Sequence, residues 1–378
     1  MGNSVCDGRA SPVVSGGGGI TKFYTSAAWI EGRAEQQLNE VAGWPGVEKI
    51  AAFPDLHPGK YGPVGCAVLA ERIYPQLIGN DIGCGMALFQ LDLLLRKMKL
   101  EKALRRMRRL GEPVAEDQRE RLEEVGLAPG LFAKALGTLG GGNHFCEVQC
   151  LAEADSACGL DKTRLYLLVH SGSRGLGNAV FASVQDKVGG GLDPETDTAL
   201  TYLQDHDRAV RWARLNRQII AKRAAEALRA DLTLLVDAPH NLLMQKGAGW
   251  LHRKGAAVAE QGMVPLAGSR ASASYLVSGT GHEAALGSLA HGAGRRYDRS
   301  SMHGRLPARK SDLEAMQRTP FGGRILCEDR DLLIEEAPLA YKSAKSVVED
   351  LERTGAAHVV AEFHPLLTFK KTREGVRA

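Results

Sequence analysis

The chain has 378 residues, 44% hydrophobic and 24% charged, which is enough apolar material for a sizeable core and excludes wholesale disorder. Its net charge of +4 and sequence pI near 8.6 are mildly basic and select no function class by themselves. No stretch reaches the ~18 apolar residues of a spanning helix, the 44 glycines keep no Gly-X-Y period, and no basic-then-apolar leader is visible, so a membrane span, a collagen fibre and export are not expected.

Seven cysteines, an odd number in a long chain, fit free thiols in a reducing cytoplasm better than a disulfide framework. Length alone suggests two or three domains. Along the chain, residues 1–20 read as a loose Gly-rich lead-in. SAAWIEGRAEQQLNEV, from Ser26 to Val41, has the amphipathic pattern of a helix. Short apolar strands broken by glycine follow in KIAAFPDLHPG, GPVGCAVLAERIY and GNDIGCGMALFQLDL. Arg96 to Leu127 is basic and helical, with a break at Gly111-Glu112-Pro113. Strands return at Cys146–Leu151 and Arg164–His170, the latter an apolar run that looks buried. A long helix fills Leu200–Arg229, another runs from Tyr341 to Arg353, and AHVVAEFHPLLTFKK closes the chain as one or two strands. There is no internal repeat and no regular βαβ alternation, which favours a mixed architecture.

Both basic helical stretches, RKMKLEKALRRMRR and RAVRWARLNRQIIAKRAAEALR, admit two readings. One is a solvated helix face; the other is a surface that holds phosphate backbones through charge. Aromatic residues are only 6% of the chain, which argues against a stacking platform for single strands.

Chemistry-bearing residues gather beside glycine in Gly79–Gly85, Gly140–His144, His170–Gly177, Gly279–Glu283 and His291–Gly294. Glycine allows close or left-handed backbone, so such loops suit ligand sites, although any one of them is an ordinary turn. Asp81 and Cys84 lie three residues apart across a turn. His144, His170 and His240 each adjoin a strand-like run, where an imidazole is rigidly placed to ligate a metal. Ligand softness alone points to zinc or iron. Arg174 sits in a loop whose amides could cradle phosphate, and Lys254, Arg295 and Arg299 add cations beside glycine. His291, in HGAG, reads as a nucleophile, a general acid or a hydrogen-bonding loop residue.

Taken together, GNDIGCG, GGGNH with Glu147, HSGSRGLG, His240-Asn241, HRKGA, HGAGR and EEAPLAYK resemble the RtcB family of RNA ligases, in order from about Pro54 to Lys370. The resemblance implies an α+β fold, a compact mixed α/β single domain over residues 21–378 particular to that family. It implies GTP- and Mn2+-dependent joining of RNA 2′,3′-cyclic phosphate or 3′-phosphate ends to 5′-hydroxyl ends, in RNA repair or tRNA splicing. Two Mn2+ ions would share Cys84, one also bound by His170 and His240, the other by Asp81 and His144. His291 would carry GMP, with Gly292, Ala293 and Gly294 beside it. Asn143 would contact the nucleotide phosphate, and Glu147, Tyr341 and Ser274 would hold the guanine. Lys370, or the adjacent Lys371, would reach GMP. Arg174, Lys254 and Arg299 match positions suited to RNA phosphate. TSAAWIEGRAEQQL and PDLHPGKYGPVG, which keeps Asp55 and His57, depart from the usual pattern. They look like a bacterial paralogue branch with a release-factor-like partner; an archease-like activator is a second candidate partner. A metal-dependent RNA-end phosphoesterase and a non-catalytic RNA-binding paralogue are the competing readings.

Overall fold

In the computed structural model, residues 19–114, 117–187, 189–260, 262–306 and 309–372 are described. The first part of the chain runs β1 (Gly19–Lys22), α1 (Gly32–Ala42), β2 (Val47–His57), β3 (Val64–Ala70), α2 (Pro75–Ile78) and β4 (Gly85–Leu94). Then come α3 (Leu100–Met107), α4 (Arg119–Glu124), β5 (Phe145–Ala154), β6 (Arg164–Ser171), α5 (Gly175–Ala182) and the long α6 (Asp197–Leu228). Seven strands follow: β7 (Leu232–Pro239), β8 (Asn241–Lys246), β9 (Gly249–Lys254), β10 (Ala256–Val258), β11 (Met263–Leu266), β12 (Ser274–Gly279) and β13 (Ser288–Ala290). The chain ends with α7 (Lys310–Ala315), β14 (Arg324–Cys327), α8 (Arg330–Glu335), α9 (Ala344–Arg353) and β15 (Ala357–Lys371).

Two main sheets organise these elements. The larger has the order β11-β12-β15-β5-β6-β4-β7, with β14 alongside β15; the smaller runs β1-β2-β3-β9-β8, and β10 pairs β13. The result is a mixed helix-and-sheet single domain, as the expected fold class requires. The apolar runs of β4 and β6 are explained by burial on both faces. Ala87, Phe89, Leu91, Leu165, Leu167 and Val169 point into the core under α6, beside Ile220 and Ala224. The alternate residues Met86, Leu88, Tyr166 and Leu168 pack against Phe363 on the other face. The smaller sheet has its own core of Ile50, Ala52, Cys66 and Val68 against Leu38 and Val41 of α1.

Several expectations are corrected. The lead-in falls outside the described residues up to 18, but Gly19 and Ile20 already pair in β1, parallel to β2. The first helix starts at Gly32 rather than Ser26. Thr25 instead donates through its backbone N (3.2 Å) and Oγ1 (2.7 Å) to Asp350 Oδ1, which ties the preceding segment to α9. Of HSGSRGLG, the first two residues end β6 and the last three open α5 at Gly175. The closing segment is one continuous strand. Its register against β5 shifts between Pro365 and Leu367, where a residue lacking an N–H is tolerated.

Candidate active site

The site lies where the chain passes between the sheets. β4 begins one residue after Cys84, β6 carries His170 near its end, and His240 is the single residue between β7 of the large sheet and β8 of the small one. His144 precedes β5, His291 follows β13, and Asp55 comes from β2. These ends converge on a cavity of about 960 Å³.

Its floor holds two groups of metal-competent side chains: Cys84, His170 and His240, and Asp81, Cys84 and His144. Within each group the donor atoms lie within 4.8 Å of one another. Cys84 Sγ is 3.3 Å from His144 Nε2 and 3.3 Å from His170 Nε2. His170 Nε2 is 3.3 Å from His240 Nε2, and His144 Nε2 is 3.1 Å from Asp81 Oδ2. His144 Nδ1 donates to the Leu139 carbonyl (3.0 Å), which leaves Nε2 as the lone-pair nitrogen facing Cys84.

Burial, reinforced by the Asp81 charge, pushes the Cys84 thiol up. Burial and neighbouring histidines hold His170 and His240 well below the ordinary imidazole range. Burial would raise the Asp81 carboxyl, but His144, Cys84 and Lys254 together keep it low. Neutral imidazoles, a carboxylate and a buried thiol crowd their lone pairs together. A divalent cation satisfies such a set and would turn the thiol into a thiolate. The residues therefore fit one or two metal ions, with Cys84 common to both groups.

Above this floor stands His291, its ring centroid 4.2 Å from that of His240. Its Nδ1 has two acceptors, Asp55 Oδ2 at 2.9 Å and the Gly255 carbonyl at 2.7 Å. Nδ1 must therefore carry the proton, and Nε2 holds the lone pair. Asp55 is fully buried and also accepts from the His291 backbone N at 3.3 Å. Asn241 accepts from Gly255 N (2.9 Å) and donates to the Asp81 carbonyl (3.3 Å), which joins the surroundings of His291 to the Asp81–Cys84 loop.

At the far side, Glu336 is a buried carboxylate that gathers four partners. Arg295 Nη1 and Arg299 Nε each donate to its Oε1 at 3.1 Å; Lys370 Nζ lies 3.8 Å from Oε2, and the Tyr341 hydroxyl donates to Oε2. Burial would raise the Glu336 carboxyl, but Lys370 and Arg295 hold it below its usual value. Burial brings Lys370 down to about 8. Lys371 points elsewhere, toward Asp329 at 2.8 Å. Nearby, Glu147 accepts from Thr368 Oγ1 (2.5 Å) and Gln149 Nε2 (2.8 Å), and burial raises it to about 7.

The cavity collects Asp81, Cys84, Asn143, His144, Glu147, His170, Arg174, His240, Lys254, His291, Gly292, Ala293, Gly294, Arg299, Tyr341 and Lys370. Ser274 does not line it. Its buried Oγ accepts from Gly268 N at 3.1 Å and so shapes the wall from behind, while Gly268, Ser269 and Arg270 face the cavity. The Gly279–Glu283 stretch also lies outside the cavity lining; His282 packs edge-on against Phe23. Lys254 spends one hydrogen bond on the Ile78 carbonyl (2.7 Å). Glycine is demanded at Gly140, whose φ is +92° and where a Cβ would sit 1.4 Å from Arg174 Nη1. At Gly172 a Cβ would lie 2.0 Å from Asp81 Oδ1. Sequence reasoning missed Asp55 as the partner of His291, Glu336 as the hub and Arg270 as a lining residue. The signs available were the position of Asp55 near His57 in a retained element and that of Glu336 within EEAPLAYK.

With this geometry in place, comparison with known proteins is direct. The family model described as "tRNA-splicing ligase RtcB" matches residues 37–125 and 128–371. The chain is 42% identical over 355 residues to RNA-splicing ligase RtcB2 of Escherichia coli, covering 91% of this chain and 93% of that protein. Identity falls to 29% with RNA-splicing ligase RtcB of Escherichia coli K12, over 86% and 92% of the two chains. With tRNA-splicing ligase RtcB of Archaeoglobus fulgidus it is 27%, over 89% and 91%. The chain belongs to the RtcB family.

Proposed function

We propose that this protein is an RNA ligase that uses GTP and Mn2+ to join a 2′,3′-cyclic phosphate or 3′-phosphate end to a 5′-hydroxyl end, through GMP carried on His291. The observation that carries the reading is the fixed tautomer of His291: Asp55 and Gly255 hold the proton on Nδ1, so Nε2 is a ready nucleophile beside the two metal-competent groups.

The chemistry follows from the chain's own groups. His291 Nε2 attacks the α-phosphorus of GTP, forming a P–N bond as pyrophosphate leaves, and Asp55 stabilises the imidazolium that results. The RNA 3′-phosphate, reached from a cyclic end by hydrolysis, then takes GMP from His291. The 5′-hydroxyl oxygen attacks the activated 3′-phosphorus and GMP departs. Divalent ions held by Cys84, His170 and His240 and by Asp81, Cys84 and His144 would neutralise charge on the phosphoryl oxygens. Asn143 would hold the nucleotide phosphate, Glu147 and Tyr341 the guanine, and Lys370 the GMP. Arg174, Lys254 and Arg299 would meet the RNA phosphates. Rate would come mainly from positioning and charge stabilisation rather than from a strong side-chain base.

The test is incubation with Mn2+ and GTP labelled at the α-phosphate. An acid-labile protein adduct that disappears in His291→Ala is expected. No adduct, or one that survives that substitution, would overturn the reading.

A further inference from the structure

Beside the catalytic cavity, on the outer surface, aromatic rings and cations alternate. Trp29 is 43% exposed, and the Arg296 guanidinium lies over its ring at 5.7 Å. The same guanidinium lies 5.4 Å over Tyr297, and Arg305 covers Tyr297 at 3.9 Å. Lys342 Nζ, 5.7 Å from the Trp29 ring, is fixed by the carbonyls of Pro54 (3.0 Å) and Leu56 (2.6 Å). A pocket of about 460 Å³ runs along this row between Trp29, Arg296 and Tyr341, and Tyr341 also lines the catalytic cavity. Arg296 follows directly on Arg295, a residue of that cavity.

Charge in the pocket favours an anion. Its two carboxylates are engaged: Asp350 accepts from Thr25, and Glu349 faces Arg353 at 3.9 Å. The Arg296 guanidinium faces the Trp29 and Tyr297 rings. A scattered exposed tryptophan would need no explanation. A tryptophan joined to Arg296, Tyr297 and Arg305, and continuous with a phosphate-handling cavity, does need one.

We propose that this row is a binding site for unpaired RNA, in which a base stacks on Trp29 while Arg296 and Arg305 meet the adjoining phosphates. Any base offers a π face, so such a site is indifferent to sequence, and the cations follow the backbone. The site rests on the ligase reading, because it would hold the strand whose end enters the catalytic cavity. A low aromatic content averaged over the chain conceals it: Trp29 meets Arg296 only in the fold.

The probe is a short fluorescein-labelled single-stranded oligoribonucleotide ending in a 3′-phosphate, titrated with the full chain and followed by fluorescence anisotropy. Trp29→Ala is expected to raise its Kd about tenfold, in the range of one lost base stack. Trp29→Phe, which keeps a ring, should stay within about twofold of wild type, and Arg296→Ala should weaken binding and flatten its salt dependence. A blunt RNA duplex should bind both Trp29 variants and wild type alike. Unchanged single-strand binding by Trp29→Ala, or an equal loss for the duplex, would overturn the proposal. Guanylylation without RNA separates the two readings. It should be normal in Trp29→Ala, and its absence from wild type would defeat the ligase reading while leaving the stacking result to stand by itself.

Discussion

Asp55 and His291 are 236 residues apart in sequence, yet one proton on Nδ1 links them. Replacing Asp55 with Asn keeps the shape but removes the carboxylate charge that would stabilise the imidazolium, and leaves the Gly255 carbonyl to hold the Nδ1 proton alone. Asp55→Asn should therefore slow guanylylation by ~10²-fold or more, the scale of a lost acid–base partner, with little change in the KM for GTP. Single-turnover kinetics would decide; a rate within a few-fold of wild type would contradict the role. Glu147 offers a pH test. Burial raises its pKa to about 7, so the folded protein binds its proton more tightly than the unfolded chain does. Stability contributed by this group should fall as pH rises from the ordinary carboxylate range through 7. As a carboxylate it would accept from guanine N–H groups, so GTP affinity should rise over the same interval. Glu147→Gln should flatten both trends, measured by thermal unfolding and by nucleotide titration across pH 5.5 to 8.5, a span of roughly 1.5 units on either side of that value.

Helix α6 shows how one element supports the whole site. Its basic composition suggested either a solvated face or an RNA surface, and the structure sets three of its arginines on protein carbonyls, of which only Arg217 is buried. Arg211 donates to the Val125 carbonyl, and Arg223 to those of Gly137 and Glu112. Arg217, fully buried, donates to Asp237 on β7 (2.7 Å), to the Gly83 carbonyl (2.8 Å) and to the Ser171 carbonyl (2.9 Å). It thus ties the Asp81–Cys84 loop and the end of β6 to the strand that leads into His240. Its neighbour Asn216 accepts from Gly137 N (2.7 Å) and donates to Ser171 Oγ (3.1 Å). Removing Arg217 would leave Asp237 and two carbonyls without their donor. Arg217→Met should cost about 3–5 kcal/mol in urea unfolding. Metal affinity should also drop ~10–100-fold, the usual effect of losing a supporting contact. Unchanged metal affinity in the folded variant would remove α6 from the account of the site. This helix also marks what could be read from sequence. Its extent was legible because apolar and small residues recur with helical spacing. Cys84, His144 and His170 were legible because they stand in glycine-rich stretches, and His240 because it ends a strand-like apolar run. The duties of Arg217, Asp55 and Glu336 were not, since each depends on partners brought together by folding, even though Asp55 and Glu336 stand in stretches the resemblance marks. Ser274 misled for the reverse reason: a motif locates a residue in a loop but not the side of the wall it faces.

At the scale of the molecule, the metal-competent groups sit at the seam of the two sheets, where His240 alone connects β7 to β8. Residues from His57 to Lys370 line the cavity. Binding there should stabilise the entire fold rather than one loop. Without a cation, the donors of Asp81, Cys84, His144, His170 and His240 crowd together, the last four of them buried. With one, that crowding becomes ligation, and the sheets are joined through it. Ligand linkage sets the size: a cation at 100 times its Kd adds about 2.7 kcal/mol to stability, or several degrees in Tm for a chain of this size. Titrating Mn2+ into metal-free protein should therefore raise Tm progressively, and EDTA should reverse the shift. Cys84→Ala, which breaks both groups at once, should lose the shift and retain little metal by elemental analysis. His291→Ala should keep it, because His291 belongs to neither group. A normal metal content and a full Tm shift in Cys84→Ala would show that the two sites do not share that sulfur.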